Sequence, residues 1–226
     1  FINHPYGVCY DYNIIGMWQI ADKQNGLIPD GFEYGTYKVE DVNNDGKYTA
    51  DKDRKIIGYS DPAYRFSIQN SFRYKNWEFK FMINSVQGGK NYYYGQPGKD
   101  LANPDNIYQN NLFNFDYWTP ENPNSNIPAA TNSSSNLVIS SRVVEDASFL
   151  RLKTVTLGYT VPKTFLKKYK IDNARLYVAA QNLWTITGYS GYDPEVSIRS
   201  GGLTPGLDFS SYPRALSVSF GINLGF

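Results

Sequence analysis

From Ala215 to Phe226 the chain alternates without a break: Leu216, Val218, Phe220, Ile222, Leu224 and Phe226 fall on one face, and Ser, Asn and Gly fill the other. Side chains on a strand alternate between two faces, so this spacing predicts a strand with one wholly apolar side. The same period of two recurs upstream. Tyr64, Phe66, Ile68, Asn70, Phe72 and Tyr74 share a face, and after Lys75-Asn76 the set Trp77, Phe79, Phe81 and Ile83 does the same, which predicts a hairpin. Val155, Leu157, Tyr159 and Val161 alternate with Thr154, Thr156, Gly158 and Thr160, and Pro162 stops that strand. A further strand is expected from Ala174 to about Thr187. Strands are therefore predicted around 63–75, 77–88, 147–161, 174–187 and 213–226, with a sixth around Tyr12 to Ile20.

The connections alternate in length. Lys75-Asn76 and 162–173 are short, the latter with one basic helical turn from Thr164 to Lys170, whereas 88–146 and 188–213 are long and rich in Asn, Ser, Pro, Gly and Tyr. Short turns at one end and long loops at the other mark an up-and-down barrel, and strands of about 9–11 residues are long enough to cross a bilayer. A lipid-facing wall asks for the apolar face to be complete and permits a polar lumen. The terminal strand of a soluble sandwich or lipocalin-like barrel also alternates, so composition has to arbitrate. The 20 Tyr, 13 Phe and 4 Trp lie in a chain whose mean hydropathy is −0.48, which suits aromatic girdles below long wet loops. No stretch approaches the roughly 18 apolar residues of a membrane helix.

Five or six strands cannot close in a membrane, where about eight are needed and an open edge leaves backbone groups unpaired. The fold expected is all-β: the C-terminal segment, of about five to six antiparallel strands, of a larger transmembrane barrel. The start, Phe1-Ile2-Asn3-His4, lacks the features of a signal peptide, which fits either a cytosolic protein or a piece of a longer one; a membrane strand needs an export signal, so a longer parent chain is expected. Net charge is +1, which gives no support to a nucleic-acid partner. Cys9 is the only cysteine and His4 the only histidine, so no intramolecular disulfide and no His-rich metal site can form.

A family resemblance rests on Asp41-Val42-Asn43-Asn44-Asp45-Gly46-Lys47, Tyr117-Trp118-Thr119-Pro120-Glu121-Asn122-Pro123, Ser148-Phe149-Leu150-Arg151-Leu152-Lys153 and Leu157-Gly158-Tyr159. It extends to Gln181-Asn182-Leu183-Trp184-Thr185, Tyr189-Ser190-Gly191-Tyr192-Asp193-Pro194-Glu195, Tyr212-Pro213-Arg214 and the terminal Phe226. These motifs, in this order, resemble the C-terminal third of SusC/RagA-type transporters. The resemblance implies a 22-stranded, TonB-dependent outer-membrane barrel of Bacteroidetes-type bacteria, importing oligosaccharides or peptides with a SusD-like surface lipoprotein. The plug domain and TonB box that the resemblance implies are not visible in these 226 residues, so energy coupling is expected elsewhere in the parent chain. The terminal strand, with Phe220, Ile222, Leu224 and Phe226, resembles the signal read during outer-membrane assembly.

Candidate sites follow. In the acidic Asx/Gly loop of 23–62, Asp41, Asn43 and Asp45 with Gly46 have the spacing that wraps a hard cation, with the Lys47 carbonyl joining and Asp51 or Asp53 closing the shell. The twelfth position of an EF-hand, normally Glu, is Lys52. A structural Ca²⁺ is the only cofactor expected, and a metal-free surface turn suits the same composition. Tyr92, Tyr93, Tyr94, Trp118, Tyr189, Tyr192, Asp193 and Glu195 combine ring faces with polar groups in loops, a set suited to a polar organic ligand or a partner surface, or to folding the loops on themselves. Lys153 and Arg151 would cost roughly 2–4 kcal/mol facing lipid at the midplane, so they belong near the rim or in the lumen. Asp193 and Glu195 resemble a carboxylate pair, but Pro194 between them fits a shaped loop better than a glycosidase site. The chain is read as a non-enzyme. The alternative to transport is an exported glycan-binding or adhesion β-domain.

Overall fold

The computed structural model describes residues 2–93, 116–129, 139–195, 207–208 and 212–226. Among them are twelve strands: β1 (Val8–Tyr12), β2 (Ile14–Met17), β3 (Tyr37–Val39), β4 (Arg54–Tyr59), β5 (Tyr64–Tyr74), β6 (Trp77–Gln87), β7 (Lys90–Tyr93), β8 (Val144–Asp146), β9 (Phe149–Thr160), β10 (Asn173–Thr187), β11 (Leu207–Asp208) and β12 (Ser217–Gly225). The α-helices are single turns, α1 (Ile20–Gln24) and α2 (Lys163–Leu166). The chain divides into two compact units, residues 1–60, 90–145 and 198–210 in one, and 61–89, 146–197 and 211–226 in the other.

The second unit is one antiparallel sheet in the order β12-β10-β9-β6-β5, so successive strands of this sheet pair with one another, while β7, β8 and β11, which fall between them in sequence, form a separate sheet. Its five strands match the five read from the alternation to within two residues at each end, except that β12 begins at Ser217 and not near 213. β5 and β6 pair in unbroken register from Tyr64↔Gln87 to Tyr74↔Trp77, and Lys75 takes a left-handed conformation (φ 52°) to turn the hairpin in two residues. Directly opposed residues share a face. Val178↔Phe220 and Leu176↔Ile222 thus put the apolar set of β12 beside that of β10, and Leu157 and Tyr159 continue it on β9.

One irregularity keeps that face intact. On β9, Thr154 lies opposite Met82 and Leu152 opposite Ile83, which leaves Lys153 as an extra, bulged residue. Upstream of it Leu150 and Leu152 face the apolar side; downstream Val155, Leu157 and Tyr159 do. Without a bulge, odd and even positions could not exchange roles, and Arg151 would share a face with Val155. Because of it, Arg151 lies opposite Asn84 and Thr185 on the polar side.

The opposite face carries small and charged groups. Glu78 accepts from Arg73 at 2.9 Å and from Arg175 at 2.6 Å, with Lys80 at 3.0 Å. Arg175 reaches across β9 over Gly158, where a Cβ would stand 2.8 Å from the guanidinium, and the Tyr177 ring lies on Gly221 in the same way. Glycine at these positions gives the room that long side chains use.

The first unit is built from short pairs: β1 with β4, β2 with β3, and β11-β7-β8. Its small core is Tyr12, Tyr37, Val39 and Ile139. The stretch Tyr12 to Ile20, expected as a sixth wall strand, is instead divided among the end of β1, β2 and the start of α1. The reason is visible at Asn13, which breaks the strand and donates to Glu40 at 2.6 Å, and at Gly16, which sits at an irregular register against β3. Within the loops expected over 23–62 and 88–146 the structure adds β3, β4, β7 and β8.

Candidate functional site

The two carboxylates singled out in Tyr189 to Glu195 meet the two cations singled out on β9. Strand β9 enters with Phe149 and Arg151 on the polar face, and β10 brings Thr185 opposite Arg151. Arg151 donates through one terminal nitrogen to Asp193 Oδ1 at 2.7 Å, through the other to Glu195 Oε2 at 2.6 Å, and through Nε to Thr185 Oγ1 at 2.9 Å. Its guanidinium lies over the Phe149 ring at 5.3 Å. Arg151 and Asp193 are each only 3% exposed. Glu195 is further paired with Arg214 at 3.2 Å and Lys153 at 3.4 Å, and the backbone N–H groups of Glu195 and Arg214 close on Asp193. A buried guanidinium is tolerable only when its donors are satisfied in this way.

In the loop that follows β10, burial pushes the Asp193 carboxyl upward, but the hydrogen bonds from Arg151, Glu195 and Arg214 prevail and hold it below the usual aspartate range. It stays ionised. Oxygens so engaged serve to pin the loop to the strand ends, and the two acids, on either side of Pro194, both reach one arginine.

The aromatic candidates separate by exposure. Tyr192 is 68% exposed and open to a ligand or partner, whereas Tyr93, Tyr189 and Trp118 are buried and Tyr92 is half-buried. Tyr94 lies outside the described residues. Trp118 donates from its indole to Gln19 Oε1 at 3.2 Å, stands beside Tyr34, and fills the space left by Gly35, whose φ of +79° and missing Cβ allow the approach.

The acidic loop is internally satisfied. The backbone N–H groups of Asp45 and Gly46 donate to Asp41, and that of Lys47 donates to Asp45. The Asn43 amide donates to Asp45 at 2.8 Å, and Lys52 reaches the same carboxylate at 3.2 Å. The hydrogen bond from Asn43, then those from Lys47 and Lys52, hold the Asp45 carboxyl below its ordinary value. Asp53 is buried and accepts from the N–H groups of Val42 and Thr49, while Asp51 is exposed. Among the described residues no group of three or more His, Cys, Asp or Glu is gathered for a metal. The donor set is two carboxylates and an amide with an ammonium on one of them, so a cation would have to displace Lys52.

The apolar face of the sheet is bare. Phe220 is 79% and Phe226 85% exposed, and Ile222, Leu224, Leu176, Trp184, Ile186, Phe72 and Tyr74 are exposed with them. A continuous apolar surface of this extent requires a cover.

No protein-family model matches the chain. It is 32% identical over 97% of its length to TonB-dependent receptor P3 of Formosa agariphila, and 30% identical over 82% to TonB-dependent receptor SusC of Bacteroides thetaiotaomicron. The chain spans about a fifth of these relatives, 22% and 17% of their lengths. A solved structure of the RagAB peptide importer in its open-open state superposes over 100% of the chain with a TM-score of 0.67 at 20% identity, the chain covering 24% of it. The chain belongs to the SusC/RagA-type TonB-dependent receptors.

That membership gives the five-stranded sheet its meaning as part of a receptor barrel wall. Two features of this receptor segment escape sequence reasoning: the Glu78 cluster and the glycine seats of Arg175 and Tyr177. The only signal available was that Gly158 and Gly221 fall on polar-face positions of strands, where glycine weakens pairing unless something lies against it.

Proposed function

We propose that the chain forms part of the wall and outer loops of an outer-membrane barrel that imports oligosaccharides or peptides in a TonB-dependent manner. A SusD-like surface lipoprotein partners the receptor, and coupling to TonB runs through parts of the receptor other than these residues. The observation that carries the reading is the bare apolar face opposed to a charged one, because hydrocarbon is the cover that asks for no complementary shape. The buried clamp supports it from the other side: Arg151 anchors Asp193 and Glu195, and with them the root of the loop over 188–213, while Tyr192 remains open for contact with substrate or lipoprotein. A Ca²⁺ ion in the acidic loop would be structural; the Asp41, Asn43, Asp45 spacing supports it and Lys52 opposes it.

The test uses the full-length receptor with single cysteines at Phe220→Cys and Ser219→Cys. A bimane label at 220 should be quenched by brominated lipid and one at 219 by an aqueous quencher. Equal behaviour of the two sites sinks the wall reading. Growth of the host on a glycan or a peptide as sole carbon source, with and without the receptor, then separates the two substrate classes.

A further inference from the structure

The basic turn between β9 and β10 has no role in the clamp or in the acidic loop. Lys163, Lys167, Lys168 and Lys170 fall within it, all exposed, and no acid stands between Pro162 and Ile171. The turn is ordered. Phe165 N–H donates to the Pro162 carbonyl at 3.0 Å, Leu166 is buried, and Asp172 N–H donates to the Gly225 carbonyl at 2.8 Å, which ties the turn to the end of β12. Lys170 adopts φ 54° and ends the last helical turn. Two rings are thereby held outward, Phe165 at 70% and Tyr169 at 67% exposure. Rings alternating with ammonium groups suit the boundary between hydrocarbon and headgroups, where the ring lies in the interface and the lysine reaches a phosphate.

A groove of about 720 Å³ opens on the apolar face beside this turn, lined by Trp77, Leu157, Tyr159, Leu176, Val178 and Phe220. Tyr159 lies opposite Leu176, and two residues on Val161 donates to the Ala174 carbonyl where the turn begins. Two residues of strand span about 7 Å, so one molecule can occupy both places. Trp77 and Tyr159, with ring centroids 4.7 Å apart, wall the groove at the end nearer the turn.

We infer that the groove and the basic turn together bind an anionic phospholipid, its acyl chain along Leu157, Leu176 and Val178 and its phosphate among the four lysines. The inference rests on the wall reading above and adds a specific occupant to it. Charge complementarity and continuity with the apolar face select a lipid over a second protein, since a protein surface would have to match both.

The experiment uses the full-length receptor in nanodiscs of equimolar phosphatidylethanolamine and phosphatidylglycerol, with native mass spectrometry of the lipids retained after release. The wild-type receptor should keep phosphatidylglycerol in preference. Replacing all four lysines with glutamine should lower that retention about tenfold or more, and replacing them with arginine should preserve it. Raising salt on the unmodified receptor should weaken retention as well, without any substitution. Equal retention of phosphatidylglycerol by the wild-type and glutamine receptors, or no preference between the lipids, overturns the lipid site while leaving the wall reading in place. Failure of the unmodified receptor to enter the nanodisc overturns both.

Discussion

Replacing Arg151 with methionine removes three side-chain hydrogen bonds at once, those to Asp193, Glu195 and Thr185, from a residue 3% exposed. Glu195 keeps Lys153 and Arg214. Among the described residues Asp193 keeps the backbone N–H groups of Glu195 and Arg214, and it remains buried. Removing one partner of a buried ion pair costs about 3–5 kcal/mol, far more than the near-zero contribution of an exposed pair. The cost should appear locally, as release of the segment around Asp193 while the sheet stays paired. Hydrogen exchange of 188–195 in the detergent-solubilised receptor should therefore rise by two orders of magnitude or more (about 3 kcal/mol), with β6 and β9 downstream of Lys153 unchanged. The pH dependence follows from the sign of the shift. Because the folded Asp193 pKa lies below its unfolded value, the clamp contributes fully above about pH 4 and loses that contribution as pH falls through the depressed folded value. In the Arg151→Met receptor the upward push of burial meets less opposition, so release should begin at a higher pH. Unchanged exchange across 188–195 at neutral pH would refute the clamp.

Three further outcomes are expected. Phe226→Asp should reduce the receptor's outer-membrane abundance, measured by surface labelling, severalfold; a charge at the end of a strand costs only about 1 kcal/mol against lipid, so a larger loss identifies recognition during assembly and normal abundance removes it. Gly221→Val places a Cβ about 2.2 Å from the Tyr177 ring and should lower the unfolding midpoint by an amount corresponding to about 1–3 kcal/mol, with Tyr177→Ala restoring most of it; no shift would mean the ring swings aside freely. Lys52→Glu replaces the ammonium on Asp45 with the carboxylate that a calcium loop places twelfth, and should create or tighten Ca²⁺ binding by calorimetry, whereas no binding heat in either receptor would exclude the loop as a cation site.

The wall was legible because its information is local. A period of two needs only neighbours, and β5, β6, β10 and β12 show it along most of their length. β9 was legible downstream of Lys153 and deceptive upstream, since a bulge is a shift of phase that one strand's sequence cannot distinguish from a loss of pattern. The clamp was half legible: Asp193, Glu195, Arg151 and Lys153 each stood out, but Asp193 and Arg151 are 42 residues apart, and only strand register brings them together. Trp118 and Gln19 are 99 apart, and nothing in either neighbourhood announces the bond. The strands of the first unit are two to six residues long, too short for any period to emerge.

The bulge at Lys153 also decides where evolution can lengthen or shorten this wall. Losing one residue anywhere else in β9 would invert every position beyond the gap, turning leucines inward and threonines to lipid. Losing Lys153 alone leaves Leu150, Leu152, Val155, Leu157 and Tyr159 on one side, because the flanking segments are already in phase across it. Single-residue gaps between related barrels are therefore expected to gather at this position, at the cost of the ammonium that reaches Glu195.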